Sequence, residues 1–422
     1  MNFIEELQWR GMLHDKIAGI EDELSKGSCV GYIGFDPTAP SLTIGNFVQL
    51  QILKLFQMSG HRPIVLMGGA TGRIGDPSGK DKERELKTFD ELDHNLHFQL
   101  AQMRRFLDFD GDNAAIIVNN YDFYKNMNAL DFLRDVGKTM TVSYMLSKES
   151  VKRRLEAGIS FTEFSYQLLQ GYDFQCLYEA HNCILQMGGS DQWGNITAGV
   201  EFIRRNLDKK AYAICTPLLT KEDGTKFGKS EKGNIWLDAK LTTPYQFYQF
   251  WINASDADLP KFMRYFSLKT KAEIEALEAE FATNPRELKR ILAEELTKRV
   301  HSENDYAAVL KVSDILFGKA DKETLMGLSA ENLADIGEEI GSTKISREEL
   351  EAGISITHLL SVKTGVSPSN TEARKAIQNN AVSINKDKIK DVSMLINADF
   401  LLHNKYVMIE NGKKNKHLLV VK

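Results

Sequence analysis

Three short motifs rich in glycine and polar residues could do chemistry, and each follows an apolar run of strand length. They are PSLTIGN (residues 40–46), QMGGSDQWGN (186–195) and KEDGTKFGKSEKG (221–233). The first joins a turn to the start of a helix, where unpaired N–H groups suit phosphate. The third carries Lys226 and Lys229 in a glycine-rich loop, which can close on a polyphosphate. Together the motifs indicate a nucleotide site.

An alternation of strands and helices must position these motifs. Brief β-rich runs are predicted to be buried strands: CVGYIGF, RPIVLMGG, AAIIVNN, NCILQMGG and AYAICTPLL. Helical patterns such as IGNFVQLQILKLFQMSG lie between them, and Thr88 is predicted to cap one of these helices. This order predicts an α/β fold with a doubly wound, Rossmann-like parallel sheet. In such a sheet, ligands bind beyond the carboxyl ends of the strands.

The pattern changes along the 422 residues, which are too many for one ordinary core. We predict a catalytic domain over 1–240, an α-helical domain over 241–330, a linker over 331–350 and a small α+β domain over 351–422. This last stretch holds eleven Lys/Arg and six Asp/Glu, whereas the whole chain carries −5. A basic tail on an acidic body is where a polyanion would dock, and a solvated basic surface is the alternative.

Composition favours a cytoplasmic protein. The chain is 42% hydrophobic and 26% charged, and no run approaches membrane-spanning length. Its start shows no signal-peptide pattern, and its four cysteines include no C-x-x-C pair. The stretch GDPSGKD is not a P-loop, because only three residues separate its glycines and Asp81 replaces the Ser or Thr that binds magnesium.

In its motifs, the chain resembles the bacterial tyrosyl-tRNA synthetases, a family of class I aminoacyl-tRNA synthetases. The resemblance rests on KFGKS with the earlier x-I-G-x turn, and on YIGFDPTAPSL, GGATGRIGDPSGK, YQLLQGYDF and QMGGSDQWGNI in this order. It extends to the residues after 350, which are similar to a small RNA-binding fold. It implies ATP as a substrate with Mg2+, no organic cofactor, L-tyrosine and tRNA(Tyr) as partners, and a homodimer without a membrane partner.

The resemblance also implies site residues, with no metal held by the protein. The implied catalytic residues are Thr43, Asn46, Lys80, Arg84, Lys226 and Lys229. The implied tyrosine-binding residues are Tyr32, Asp76, Tyr166, Gln170, Asp173 and Gln192. The implied ATP-binding residues are Gly34, Asp36, Thr38, Gly45, Gly189, Asp191, Lys226 and Lys229. The candidate RNA-binding residues are Arg374, Lys375, Lys386, Lys388 and Lys390.

Physical reasons support several of these assignments. Tyr166, Gln170 and Asp173 are spaced i, i+4 and i+7, so one helix face can present all three. The family's first signature is usually His-x-Gly-His, and here Thr43 and Asn46 occupy the histidine positions. We therefore hypothesise that these two side chains give neutral hydrogen bonds to the phosphates, while the lysines and Arg84 supply the positive charge.

The implied reaction has two steps, formation of tyrosyl-adenylate and transfer of tyrosine to the tRNA. A tryptophanyl-tRNA synthetase is one alternative, which Tyr32 and Asp173 disfavour because both suit a phenol. A non-catalytic RNA-binding descendant is disfavoured by the intact KFGKS. A plain nucleotidylyltransferase would leave the helical region and the basic tail unexplained.

Overall fold

The computed structural model describes residues 2–78, 86–155, 158–225, 227–230, 233–318, 320–412 and 415–422. It divides into two compact units. Unit 1 comprises residues 1–242 and 251–300, and unit 2 comprises residues 243–250 and 301–422. The four-part division inferred from the sequence stays a prediction. None of the helices in these described ranges combines the length and the apolar character needed to cross a membrane.

Unit 1 is built on a six-stranded sheet, in which every strand but the first is an apolar run predicted from the sequence. Its strands are β1 (Asp15–Lys16), β2 (Val30–Phe35), β3 (Arg62–Met67), β4 (Ile116–Asn119), β5 (Cys183–Gly189) and β6 (Tyr212–Thr216). The spatial order is β1-β6-β5-β2-β3-β4, and every pairing is parallel except that of β1 with β6. The chain therefore builds outward from β2 to β4 and returns to place β5 beside β2. The predicted doubly wound parallel sheet is confirmed, and its switch point lies between β2 and β5.

Helices connect the strands of unit 1, and several of them begin at a side-chain cap. They are α1 (Phe3–Arg10), α2 (Ile20–Ser25), α3 (Ile44–Met58), α4 (Phe89–Met103), α5 (Tyr121–Tyr124), α6 (Ala129–Asp131), α7 (Val142–Leu146), α8 (Glu149–Leu155), α9 (Phe161–His181) and α10 (Trp193–Leu207). The predicted cap at Thr88 is confirmed, since its hydroxyl accepts from the N–H of Glu91 at 3.2 Å. Short 3-10 helices cover Thr71–Arg73 and Ser190–Gln192.

More helices follow the sheet, and the division between the units falls within the first of them. They are α11 (Pro244–Ile252), α12 (Leu259–Phe266), α13 (Lys271–Glu280), α14 (Pro285–Val300), α15 (Glu303–Phe317), α16 (Lys322–Met326), α17 (Ala330–Ile340), α18 (Arg347–Glu351), α19 (Ile356–His358) and α20 (Asn370–Gln378). Two further hairpin strands of unit 1 are β7 (Lys229–Ser230) and β8 (Gly233–Asn234).

Unit 2 has its own sheet and its own apolar core. The strands are β9 (Ser342–Ile345), β10 (Ile354–Ser355), β11 (Val382–Ile384), β12 (Asp387–Lys388), β13 (Leu395–Ile396), β14 (Tyr406–Asn411) and β15 (Asn415–Val421). Five of them follow the order β12-β11-β14-β15-β9, and β9 takes its place within the stretch predicted as a linker. Leu359, Ile377, Ile409 and Leu419 are among the buried residues of the core.

Candidate active site

A cavity of about 320 Å³ opens at the carboxyl ends of β2 and β5, at the switch point of the sheet. Ligands bind at this position in open α/β sheets. The predicted site residues that line the cavity are Tyr32, Gly34, Asp36, Thr38, Asn46, Asp76, Tyr166, Gln170, Asp173, Gly189, Asp191 and Gln192. The structure therefore brings most of the predicted tyrosine and ATP residues together around one space.

One end of the cavity presents a hydroxyl and a carboxylate. The Tyr32 side chain is 1% exposed, and its hydroxyl has no hydrogen-bond partner among the described residues. Asp173 is equally buried, and its two oxygens accept from Asn120 Nδ2 at 2.9 Å and from Tyr124 Oη at 2.7 Å. A buried hydroxyl without a partner costs free energy, so this end is suited to a ligand that carries a polar group there.

Other cavity-lining side chains also hold buried oxygens without partners. The Oε1 atoms of Gln49, Gln170 and Gln186 make no hydrogen bond within the described part of the chain. Native interiors leave few such atoms unsatisfied. A cluster of them around one space indicates that a polar ligand or ordered water completes the site.

Asp36 is held at the end of β2 by two hydroxyl donors. Its Oδ1 accepts from Thr71 Oγ1 at 2.6 Å, and its Oδ2 accepts from Tyr166 Oη at 3.0 Å. A Cβ atom on Gly68 would lie 2.0 Å from the same Oδ1, so only glycine fits there. At Gly34, by contrast, a Cβ atom would meet no protein atom within 4 Å, and the missing side chain leaves open cavity.

Asp76 is the second carboxylate fixed by neutral donors. Its Oδ2 accepts from Gln192 Nε2 at 2.7 Å, while its Oδ1 accepts from the N–H of Ser78 at 2.9 Å and from Asn195 Nδ2 at 3.3 Å. In these contacts, neutral donors orient both Asp36 and Asp76. Oriented carboxylates at the edge of a cavity suit a ligand with an ammonium group or hydroxyl groups.

Thr43 and Asn46 bind each other at the start of α3. Asn46 Oδ1 accepts from both the N–H and the hydroxyl of Thr43, at 2.9 and 2.8 Å, and the N–H of Asn46 points back to Thr43 Oγ1 at 3.4 Å. This is a capping box. The Thr43 hydroxyl proton is therefore used within the box, whereas Asn46 also lines the cavity. Of these two residues, only Asn46 lines the cavity, and the role of both at the phosphates stays a prediction.

The KFGKS loop is anchored beside this helix start. The N–H of Ile44 donates to the carbonyl of Ile235 at 2.9 Å, and a Cβ atom on Gly228 would lie 2.7 Å from Ile44 Cγ2. Phe227 stacks on Phe266 with ring centroids 5.3 Å apart. The start of α3 thus lies close to the segment on both sides of Lys229, to Gly228 before it and to Ile235 after it.

The cations predicted to serve the phosphates fall mostly outside the described residues. Lys80, Arg84 and Lys226 lie beyond them, and Lys229 is described only as part of β7. The role of the lysines and Arg84 at the phosphates stays a prediction.

Gly45 is exposed in the first turn of α3. A Cβ atom added there would have Thr43 Oγ1 as its nearest contact, at 3.4 Å.

Sequence reasoning missed Asn120, Tyr124, Thr71, Gln49 and Gln186. Asn120 directly follows β4, and Thr71 follows the glycines after β3, so both stand at carboxyl ends of strands, where a site was expected. Gln186 lies in the middle of an apolar strand run, which is itself a signal. Tyr124 and Gln49 lie within helices and give no comparable signal.

Binding of tyrosine, the ligand predicted for this cavity, is expected to weaken as the pH falls below 7. Burial raises the pKa of Asp173 from 3.8 to about 7, and its donors Tyr124 and Asn120 only partly offset this effect. A phenol needs the ionised form as its acceptor, so the Kd for tyrosine should rise about tenfold from pH 8 to pH 6. Isothermal titration calorimetry over this range provides the measurement, and a constant Kd would contradict the prediction.

The ionisation of Asp173 also makes the stability of the folded chain depend on pH. Because the pKa of Asp173 is higher in the folded chain than in the unfolded chain, the folded chain binds more protons between about pH 4 and about pH 7. This group therefore favours folding at low pH, and its favourable contribution is lost as the pH rises through about 7.

The candidate RNA-binding cations of unit 2 differ in exposure. Arg374, Lys375, Lys388 and Lys390 are exposed. Lys386 is instead largely enclosed, with its side chain 12% exposed, and it pairs with Glu410 at 2.9 Å. Exposed cations can reach phosphates, so Lys386 fits the predicted role least well.

Comparison with known proteins places both parts of the chain in one family. A family model described as tRNA synthetases class I (W and Y) matches residues 25–318, and the tyrosine–tRNA ligase SYY-like C-terminal domain matches residues 333–419. The tyrosine–tRNA ligase of Cytophaga hutchinsonii is 55% identical over 423 residues, covering 99% of each chain. That of Parabacteroides distasonis is 51% identical and covers all of both chains.

Solved structures agree with this result. A C-terminally truncated mitochondrial tyrosyl-tRNA synthetase of Aspergillus nidulans is 28% identical, with a TM-score of 0.67 over 75% of this chain and 94% of that chain. A tryptophanyl-tRNA synthetase of Encephalitozoon cuniculi, 13% identical with a TM-score of 0.53, shares the fold over 72% of this chain and 87% of that chain. The chain therefore belongs to the tyrosine–tRNA ligases, class I aminoacyl-tRNA synthetases with a parallel α/β catalytic fold.

Proposed function

We propose that the cavity binds L-tyrosine beside ATP and that the chain ligates the amino acid to tRNA(Tyr) through tyrosyl-adenylate. The observation that carries this proposal is the buried pair at one end of the cavity. Tyr32 offers a hydroxyl without a partner among the described residues, and Asp173 offers a carboxylate, so a substrate phenol can bond to both. A substrate that lacks the phenol oxygen would leave both groups desolvated without a partner.

The amino group of tyrosine is assigned to a second set of residues that line the same cavity. Asp76 supplies negative charge, Gln170 supplies a buried carbonyl oxygen that no described residue satisfies, and Tyr166 is fixed by its bond to Asp36. Gln192 orients Asp76 and lines the cavity. An ammonium group placed between these acceptors would be satisfied by both charge and hydrogen bonding.

ATP is assigned to the wider part of the cavity, between β2 and the residues that follow β5. Gly34 leaves open space there, and a Cβ atom at Gly189 would lie 2.5 Å from Asp191 Oδ1. Asp36, Thr38 and Asp191 supply polar atoms for ribose and phosphate groups. Gly45 allows a phosphate to approach the first turn of α3.

In the first step, an oxygen of the tyrosine carboxylate attacks the α-phosphorus of ATP, and the bond from that phosphorus to the bridging oxygen breaks to release pyrophosphate. In the second, a ribose hydroxyl at the 3′ end of the tRNA attacks the acyl carbon, and AMP leaves as the proton of the hydroxyl is lost. The protein's contribution is to orient both reactants and to stabilise charge on the phosphate oxygens.

Positive charge for the first step is assigned to Lys80, Arg84, Lys226 and Lys229. Mg2+ is proposed to arrive with ATP, because Asp36 and Asp76 already accept hydrogen bonds from neutral donors. Donors that bind the phosphates more tightly in the transition state than in bound ATP raise kcat.

ATP–pyrophosphate exchange driven by individual amino acids tests the proposal. Tyrosine should support exchange, while phenylalanine and tryptophan should not at equal concentration. Exchange with tryptophan but not with tyrosine would establish the tryptophanyl alternative. No exchange with any amino acid, in a protein that still binds tRNA, would favour the non-catalytic descendant.

Unit 2 is proposed to bind tRNA through its exposed cations. Replacing Arg374, Lys388 and Lys390 by glutamine should weaken tRNA binding and lower its salt dependence by about one unit of slope for each phosphate that the variant no longer neutralises. Adenylate formation should not change. Filter binding at several salt concentrations measures the slope, with Lys386→Gln, a change in a paired and enclosed cation, as a comparison. An unchanged slope in the triple variant would contradict this assignment.

An apolar groove on unit 1 is proposed as the interface of a homodimer. It measures about 490 Å³ and includes the exposed side chains of Phe89, Leu133 and Phe161, which are 60%, 51% and 72% exposed. Contiguous exposed apolar surface marks interaction sites. In analytical ultracentrifugation, Leu133→Asp combined with Phe161→Asp should give a monomer, whereas the wild type should sediment as a dimer. A monomeric wild type would overturn the assignment.

The site of action is proposed to be the cytoplasm, where tRNA charging takes place in bacteria. This assignment is supported by the family to which the chain belongs.

A further inference from the structure

Three amide side chains on α4 contact the turn that joins β2 to α3. Asn95 Nδ2 donates to the carbonyl of Pro37 at 3.0 Å, and Gln99 Nε2 donates to the carbonyl of Ala39 at 2.8 Å. Gln102 makes two bonds, since its Oε1 accepts from the N–H of Leu42 at 2.9 Å and its Nε2 donates to Ser41 Oγ at 2.8 Å. We call Asn95, Gln99 and Gln102 the amide ladder.

The spacing of the amide ladder matches the spacing of its partners. The three residues stand at i, i+4 and i+7, so they share one face of α4. Four helical residues rise about 6 Å, and two residues of extended chain span about 6.6 Å. A helix face can therefore contact alternate residues of a turn in order, as it does here along residues 37–42.

Among the described residues, few other hydrogen bonds pair the backbone N–H and carbonyl groups of this turn. Pro37 and Pro40 have no N–H group, and the one backbone bond inside the first half of the turn runs from the N–H of Thr38 to the carbonyl of Asp36 at 2.8 Å. Asn95 and Gln99 are each 2% exposed. Water therefore reaches these contacts poorly, and losing a donor would leave a carbonyl unsatisfied.

This turn carries the groups assigned to ATP. Asp36 and Thr38 line the cavity, and Leu42, at the end of the turn, directly precedes the capping box of α3. We propose that the amide ladder consists of positioning residues for adenylate formation: it sets the turn, and through it Asp36, Thr38 and the start of α3, in the geometry that the reaction requires. This inference rests on the proposed function of the turn.

Gln99→Glu tests the ladder through a change in one donor group. The carboxylate has nearly the same shape as the amide but cannot donate to the carbonyl of Ala39, so the turn should shift at pH 8. A shift of about 1 Å in a reacting geometry costs about 100-fold, so kcat for pyrophosphate exchange should fall about 10- to 100-fold. Burial favours the protonated form of this glutamate. At pH 6 its O–H can donate, and kcat should recover to within about threefold of wild type.

The measurement is kcat at saturating tyrosine, expressed relative to wild type at each pH, together with tyrosine affinity and melting temperature. Gln99→Met, which cannot donate at any pH, should lose activity without recovery at pH 6. Gln8→Glu, at an exposed position on α1, should match wild type throughout. If Gln99→Glu does not fold at pH 8, Asn95→Asp makes the same change opposite Pro37 and takes its place.

Wild-type kcat in Gln99→Glu at pH 8 would overturn the proposal. So would an equal loss at both pH values, or a loss of tyrosine affinity in parallel, because either would show a role in packing alone. A wild-type protein that gives no exchange with tyrosine would instead overturn the proposed function, and the two failures are thus distinguishable.

Discussion

Asp173→Asn is expected to lower kcat/KM for tyrosine about 100-fold in ATP–pyrophosphate exchange. The wild-type carboxylate accepts from Asn120 and Tyr124 and has a remaining lone pair for the substrate phenol. An asparagine in its place has one acceptor oxygen, and its NH2 group would face a donor. The charge-assisted hydrogen bond to the substrate phenol is then lost, together with one of the bonds from Asn120 and Tyr124. The two losses together cost about 3 kcal/mol. This corresponds to about two orders of magnitude in kcat/KM.

In Asp173→Asn, the loss of kcat/KM should affect the substrate tyrosine and not ATP. The KM for ATP should stay within about twofold of wild type, because Asp173 is assigned to the substrate phenol and its hydrogen-bond partners Asn120 and Tyr124 are not among the residues assigned to ATP. Asp112→Asn, at an exposed position, serves as the matched control. The variant should also bind tyrosine with a Kd that no longer depends on pH between 6 and 8. An equal loss for both substrates would indicate general distortion and would contradict the assignment.

Asn46→Asp is expected to lower kcat for adenylate formation about 1000-fold without destabilising the protein. The carboxylate can still accept from the N–H and the hydroxyl of Thr43, so the capping box is retained. A negative charge near the amino terminus of α3 is favourable in itself. Beside a bound phosphate it repels, by about 4 kcal/mol for unit charges 4 Å apart at an effective dielectric constant of 20.

Asn46→Asp thereby separates two roles that alanine would remove together. Pyrophosphate exchange gives kcat, and differential scanning calorimetry gives the melting temperature. Thr43→Ser, which preserves the cap hydroxyl, should keep both quantities near wild type. A wild-type kcat in Asn46→Asp would show that this side chain does not face the phosphates during the reaction.

Much of the fold could be predicted from the sequence because its signals are local. The apolar runs that became β2 to β6 are short, β-rich and bounded by turn residues, and they alternate with helical patterns. The two-residue strand β1 escaped prediction, because its pairing with β6 is a long-range contact that leaves no periodic pattern.

The candidate site was predictable to a lesser degree. Motif resemblance supplied Tyr32, Asp76 and Asp173, but the partners that hold them come from distant parts of the chain. Asn120 is 53 residues from Asp173, and this contact depends on how β4 and α9 pack. Thr43 and Asn46 were predicted to act alike on the phosphates. Their mutual bonds follow from rotamers that the sequence does not reveal.

The capping box has a consequence for how this helix start can evolve. Each partner satisfies the other, so replacing Asn46 alone removes the acceptor of Thr43, and replacing Thr43 alone removes the cap that orients Asn46. Single steps from this pair toward the two histidines usual in the family therefore pass through a less stable intermediate. The two positions should show strong epistasis, with a double replacement closer to neutral than the sum of its parts.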